Sequence, residues 1–116
     1  MTWHIGVITL STDAVTEHDF AAMRPDDRFR IYASRVRHIN PTTKENLARI
    51  APQLIDAASL ILSEQKLDVI AYSCTAASAV IGDDNVRRSV TSNRLDVECV
   101  TPSSSALAAL SVALSD

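Results

Sequence analysis

Cys74 is the residue of this sequence best placed to do chemistry. It ends the apolar run of residues 67–73 and is followed at once by the helix-forming stretch 75–80. At such a junction the first backbone N–H groups of the helix are unpaired and positively polarised, so they stabilise a thiolate or a bound carboxylate. The pattern indicates a cysteine-dependent site for small anions. A free cysteine at a strand end is also commonly a small buried hydrophobe, and the local pattern leaves both interpretations open.

Strand-like and helix-like segments alternate along the chain and decide which loops lie near Cys74. We predict strands over residues 5–10, 29–36, 67–73 and 96–100, and the alternation in the second one is typical of a sheet edge. Pro52 interrupts the long helical pattern after strand 2, which predicts either a kink or two helices with Pro52 in the first turn of the second. A serine cap is expected to open the final helix after the turn of residues 101–103.

These βα units predict a single α/β domain over residues 1–116, with a four-stranded parallel sheet and helices on both faces. We expect the flavodoxin-like strand order 2-1-3-4, in which ligands bind where strands 1 and 3 end. That crevice would combine the turn Ser11-Thr12-Asp13 with Cys74 and the residues after it, joined on one side by the segment 101–105. Hydroxyl residues also recur at such turns merely as helix caps.

Composition argues against several other classes of protein. The net charge of -3, with charges of both signs interspersed, gives no footprint for nucleic acid or an acidic membrane. Only two glycines and three scattered histidines are present, so neither a dinucleotide fingerprint nor a metal site is expected. The two cysteines suggest a reducing compartment, and the apolar stretch 5–10 is too short for a signal peptide or a membrane helix. We therefore expect a cytoplasmic protein without cofactor or metal.

Four segments carry a resemblance to a known family: ITLSTD at 8–13, EHDF at 17–20, AYSCTAAS at 71–78 followed by Gly82, and VTPS at 100–103 before an Ala/Leu helix. They are similar to the amino-terminal half of the maleate isomerase and arylmalonate decarboxylase family, in the aspartate/glutamate racemase superfamily. The similarity runs through essentially all 116 residues, and the stretch around Cys74 is its most specific part.

The resemblance implies a cofactor-independent enzyme that acts on a small carboxylate. In maleate isomerases the cysteine that matches Cys74 adds to the substrate double bond, and in the racemases it is one of two cysteines that exchange a proton at the α-carbon. Arylmalonate decarboxylases lack this thiol, so its presence favours isomerase or racemase chemistry. The candidate catalytic residue is Cys74, and the candidate substrate-binding residues are Ser11, Thr12, Asp13, Thr75, Ala76, Ser78, Thr101 and Ser103.

Two departures from the family pattern bear on function. Many maleate isomerases have asparagine where this chain has Asp13. The Asp13 carboxylate would repel a substrate carboxylate unless Asp13 is protonated, is turned away or binds a different group of the substrate. Family members also have a second α/β domain that supplies the partner cysteine. Cys99 does not replace that residue, because it falls inside the predicted fourth strand and is expected to be core.

The chain is therefore expected to be a fragment, a natural half-length form or a subunit that builds its cleft from two copies, and a homodimer or higher homo-oligomer is favoured. Three functions remain open at this point. The first is an isomerase or racemase, with arylmalonate-type decarboxylation as a variant. The second is a carboxylate-binding module without chemistry, and the third is a structural half-domain awaiting a partner. We expect the fold to be a family half-domain whose full turnover is weak or absent without a second half.

Overall fold

The sheet contains four parallel strands in the order β2-β1-β3-β4, as the sequence predicts. The computed structural model describes residues 1–94 and 96–114. Central strand β1 pairs with β2 along its whole length and with β3 over residues 5–8, and β3 pairs with β4. The strands are β1 (Trp3–Leu10), β2 (Phe29–Val36), β3 (Val69–Tyr72) and β4 (Glu98–Val100).

Six helices surround this sheet in the described part of the chain. Pro52 lies in the first turn of α3, which confirms the prediction of two consecutive helices rather than one kinked helix. Within residues 1–94 and 96–114, none of the helices combines the length and the apolar character needed to cross a bilayer. The helices are α1 (Thr16–Met23), α2 (Lys44–Ala48), α3 (Ala51–Ser59), α4 (Thr75–Ile81), α5 (Asp83–Thr91) and α6 (Pro102–Ala113).

Polar contacts set the ends of several elements differently from the sequence prediction. Strand β3 begins only at Val69, because Asp68 instead exchanges hydrogen bonds with the backbone of His4 through its own N–H and carboxylate. The predicted serine cap of the last helix is wrong. Thr101 is the N-cap, and it forms a capping box in which its Oγ1 accepts from the N–H of Ser104 while the Ser104 Oγ accepts from the N–H of Thr101.

The hydrophobic core joins the strands to helices α2 to α5. Ile8, Ile70 and Tyr72 project from the two central strands and are all at most 1% exposed. They form one cluster with buried residues from the helices, among them Leu47, Leu54, Ala77 and Val86. Helix α1 contributes no buried residue. This cluster packs against one face of β1 and β3, and the opposite face carries the buried residues Val7, Thr9 and Ala71.

The end of the sheet away from Cys74 is held by Arg94. Its guanidinium donates to the backbone carbonyls of Ala58, Ile61, Leu62 and Gln65, at 3.0 Å for Ala58, 2.8 Å for Leu62 and 3.3 Å for Gln65. These carbonyls end α3 and the turn after it, where a helix leaves acceptors without intrahelical partners. Arg94 therefore caps α3. It also borders a cavity of about 260 Å³ at this end of the sheet.

Candidate functional site

Cys74 is the N-cap residue of α4 and follows β3 after a single residue. Its backbone is extended, with φ −129° and ψ 105°, and its carbonyl accepts from the N–H of Ser78 at 3.0 Å. The side chain does not cap the helix amides and is 9% exposed, whereas Thr75 and Ala76 are exposed. The first N–H groups of α4 lack intrahelical acceptors and lie beside an almost buried sulfur.

Successive side chains at the end of β3 point to opposite faces of the sheet and so enter two different environments. Tyr72 and Cys74 both belong to the buried cluster, while Ser73 lies between them and contacts α1 through a long Oγ–Oγ1 contact of 3.5 Å with Thr16. Burial, and then the nearby Cys74 thiol, raise the pKa of the Tyr72 phenol. The Tyr72 hydroxyl oxygen nevertheless makes no hydrogen bond that meets normal geometry. The Cys74 thiol therefore affects the phenol, although the two groups form no hydrogen bond of normal geometry.

The turn after β1 is fastened to the end of β2. The N–H of Ser11 donates to the carbonyl of Val36 at 2.7 Å, and the Ser11 Oγ accepts from the N–H of His38 at 3.0 Å. Ser11 and Thr12 are exposed. This arrangement leaves polar groups of the turn at the carboxyl end of the sheet, next to the strand that leads to Cys74.

Asp13 caps the start of α1. Its Oδ1 accepts from the N–H groups of Val15 and Thr16 at 2.8 and 2.9 Å, and its Oδ2 accepts from the Thr16 hydroxyl at 2.5 Å. These bonds, those from Thr16 first, lower the pKa of Asp13 from 3.8 to about 2. Of the alternatives that the sequence left for this carboxylate, the geometry corresponds to an ionised group turned toward the helix.

Asp13 should therefore contribute to stability in a pH-dependent way. Because its pKa is lowered on folding, the contribution is complete above about pH 4 and is lost as the pH falls through about 2. Asp13→Ala should lower the free energy of unfolding at pH 7 by about 1 kcal/mol, as expected for a lost cap on a partly exposed helix. Urea unfolding at several pH values measures this.

Asp27→Ala is the matched control, since that carboxylate forms only an exposed pair with Arg24. If Asp13→Ala and the parent lose stability equally between pH 4 and pH 2, the capping role assigned to Asp13 is wrong.

Arg35 braces the turn after β1, a role that sequence reasoning missed. Its guanidinium donates to the carbonyls of Leu10 and Asp13 at 2.9 and 2.7 Å and pairs with Glu17 at 2.5 Å. The strand register pairs Arg35 with Thr9, near the end of β1, so a register argument could have found this contact.

The remaining predicted binding residues are placed in different surroundings. Thr101 is 1% exposed and caps α6, and it lines a cavity of about 280 Å³ together with Phe20, Ser73 and Ser105. Ser78 is also 1% exposed, and its Oγ has no hydrogen-bond partner. The side chain of Ser103 lies outside the described part of the structure. Thr101 thus borders the crevice beside Ser73, while Ser78 is buried within α4.

Cys99 lies in the core. It is 6% exposed within β4, and burial is the main cause that raises its pKa to about 11. Both cysteines are free thiols. Because a thiolate is the reactive form, this environment makes Cys99 inert and leaves Cys74 as the candidate nucleophile.

Comparison with known structures shows which fold this domain shares. The four-stranded α/β domain matches half of a maleate isomerase-like fold, in agreement with the amino-terminal half that the sequence predicts. The match is to the maleate isomerase Iso from Pseudomonas putida S16, with a TM-score of 0.72 and 26% sequence identity. A cysteine-to-alanine variant of that enzyme, crystallised with maleate, matches with the same values.

The extent of the match is unequal for the two proteins. It covers 99% of this chain and 50% of each isomerase chain, so the protein spans about half the length of the structures it matches. No family model matches the sequence, and no curated protein matches it.

Proposed function

We propose that this chain is the nucleophile-bearing half of a cofactor-independent cis–trans isomerase that acts on a small dicarboxylate of the maleate type. The observation that carries the proposal is the position of Cys74, a cysteine at the turn between the third strand of this fold and a helix. The solved structures that the chain resembles are maleate isomerases, one of them with maleate.

The proposed reaction needs no external reagent. The Cys74 thiolate adds to one alkene carbon and forms a C–S bond, while the π electrons move into the neighbouring carboxylate as an enediolate. Rotation about the resulting single bond follows, and the electrons return to re-form the alkene as the C–S bond breaks. Thr75 and Ala76 are exposed at the start of α4, and their backbone N–H groups would hold the enediolate charge. Ser11 and Thr12 would bind the other carboxylate.

The racemase alternative has weaker support within this chain. Racemisation needs a second acid–base group on the opposite side of the α-carbon from Cys74, and Cys99 is enclosed in the core. Isomerisation by cysteine addition, in contrast, begins with a single nucleophile, which Cys74 would supply. The ionised Asp13 would not oppose a dicarboxylate directly, because its oxygens are engaged at the start of α1.

Alkylation of Cys74 by iodoacetamide tests this proposal directly. In a Cys99→Ala background, Cys74 should react at pH 7 about tenfold faster than an unperturbed cysteine, whose pKa is about 8.5. Maleate should slow the reaction at least about tenfold by occupying the site, whereas succinate, a saturated analogue of the same charge, controls for simple ionic effects. A Cys74 that is inert, or that maleate does not protect, contradicts the proposal for this chain.

Helix α6 provides the surface through which we propose that the chain pairs with a second copy of itself. Residues 102–114 contain no charged residue, and Leu107, Leu110 and Leu114 are 67%, 55% and 80% exposed. The total accessible surface of 7230 Å² exceeds the about 6200 Å² expected for an ordinary monomer of this mass. The excess of about 1000 Å² is comparable to the about 800 Å² that each partner buries in a standard interface.

Leu110→Asp should therefore shift the chain from dimer to monomer, weakening association about a hundredfold or more, because it places a charge in an apolar contact. Sedimentation velocity over a range of concentrations measures the shift. Leu60→Asp is the matched control, since Leu60 is 72% exposed but lies at the end of a different helix, α3. A parent protein that is monomeric at high concentration overturns the dimer.

The compartment proposed for this activity is the cytoplasm. Both cysteines are unpaired, and the reaction requires Cys74 to remain a thiol. A reducing compartment keeps it so.

A further inference from the structure

Tyr72 carries a buried hydroxyl two residues before the candidate nucleophile. Its side chain is 1% exposed, yet its Oη has no hydrogen-bond partner. Buried phenols usually find a partner, because an unpaired buried donor is costly. The ring alone would pack equally well as phenylalanine. The unpaired hydroxyl therefore requires an explanation other than packing.

The backbone directs this hydroxyl to the environment of Cys74. Tyr72 is the last residue of β3, and Cys74 two positions later is still extended, so the two side chains leave the same face of the sheet. Both belong to the same buried cluster. The Cys74 side chain also raises the pKa of the Tyr72 phenol, in agreement with this placement.

We propose that Tyr72 is a positioning residue whose hydroxyl donates a hydrogen bond to the sulfur of Cys74 once that sulfur is ionised. A neutral thiol is a weak acceptor, and it leaves the phenolic O–H unpaired. A thiolate is a charged acceptor and forms a shorter, stronger bond. Ionisation of Cys74 would thus satisfy a donor that the protein otherwise buries at a cost. Tyr72 itself is too enclosed to reach a substrate, so it acts through the sulfur. This inference rests on the proposed function.

The elements around Cys74 carry few charged residues. Helix α4 carries no charged residue, and α2, which packs against it, carries Lys44 and Glu45, both exposed. Asp83 and Asp84 begin α5, and Arg37 and His38 follow β2. None of these is altered in the test below, so their contribution is the same in every variant.

The test is the pH profile of Cys74 alkylation in Tyr72→Phe, again in the Cys99→Ala background. Loss of a hydrogen bond to the thiolate should move the midpoint of the profile upward by about one pH unit, and the rate at pH 7 should fall about tenfold. Tyr32→Phe is the matched control, because Tyr32 lies on β2 and stacks on His4 at 5.7 Å. Its profile should coincide with that of the parent.

A structural role for the hydroxyl predicts a different result. In that case Tyr72→Phe would change the urea midpoint and leave the pH midpoint of alkylation in place, which overturns the inference. An independent measurement on the parent protein uses the ultraviolet difference spectrum of tyrosine. Raising the pH through the alkylation midpoint should perturb the Tyr72 band, and Cys74→Ser should abolish that perturbation. Its persistence in Cys74→Ser also overturns the inference.

The outcomes separate this inference from the proposed function. If Cys74 in the parent is inert or unprotected by maleate, the proposed function fails. If Cys74 is reactive and protected but Tyr72→Phe leaves its profile unchanged, only the role of Tyr72 fails.

Discussion

Cys74→Ser should reduce maleate isomerisation by about a thousandfold or more in any assembly in which the chain is active. A serine hydroxyl is far less acidic than a thiol and is a poor nucleophile without a dedicated base, and loss of a nucleophile typically costs at least that factor. The conversion of maleate is followed by the appearance of fumarate absorbance. Binding of maleate to Cys74→Ser should persist, because the oxygen is smaller than sulfur and the N–H groups of α4 are unchanged.

Cys99→Ala is the control for this experiment, since Cys99 is enclosed in the core. It should keep the turnover of the parent within a few fold. Turnover that survives in Cys74→Ser would instead assign the chemistry to another residue. If the parent binds maleate but no assembly of the chain isomerises it, the chain is a binding module. Robust turnover by a demonstrably monomeric chain would contradict the expectation that a second half is needed.

The second large effect concerns stability and is expected for Arg94→Leu. The substitution leaves the carbonyls at the end of α3 without the guanidinium that they share, and those carbonyls are partly buried. Hydrogen bonds to a charged group contribute about 1.5–3 kcal/mol each but do not add, so we expect a loss of about 3 kcal/mol in the free energy of unfolding. Urea unfolding monitored by circular dichroism measures it.

Arg88→Leu is the matched control. Arg88 is an exposed arginine on α5 that bonds the side chain of Asn85, and its loss should change stability by at most about 0.5 kcal/mol. Arg94→Lys should recover only part of the loss, because an ammonium group cannot reach several carbonyls from one position. Equal effects of the two leucine substitutions would show that the capping role of Arg94 is overstated.

Strand order could be predicted from the sequence because it depends on simple periodicity. The apolar runs at β1 and β3 and the alternating pattern of β2 distinguish central strands from an edge strand. Pro52 likewise indicated a helix start, because its missing N–H is tolerated only there. The cap of α6 was misassigned because threonine and serine stand close together, and only the geometry of Thr101 with Ser104 decides between them.

The site was predicted less completely than the fold. The position of Cys74 followed from the end of an apolar run, but the bracing by Arg35 depends on strand register and on a long side chain crossing between strands. The orientation of Asp13 depends on two backbone N–H groups that exist only once α1 has formed. The buried hydroxyl of Tyr72 looks like ordinary core in the sequence, since its unpaired state is a property of packing alone.

The central position of β1 has a consequence for how the site comes into being during synthesis. Its two neighbours, β2 and β3, lie farther along the chain, and the contact between His4 and Asp68 closes a loop of 64 residues. Such non-local pairing slows folding, because the loop entropy must be overcome before the pairing stabilises it. The ribosome must therefore release the chain at least as far as Tyr72 before β1 acquires its second partner. Until then the turn after β1 and the thiol at residue 74 are not held at one edge, and the site forms together with the sheet.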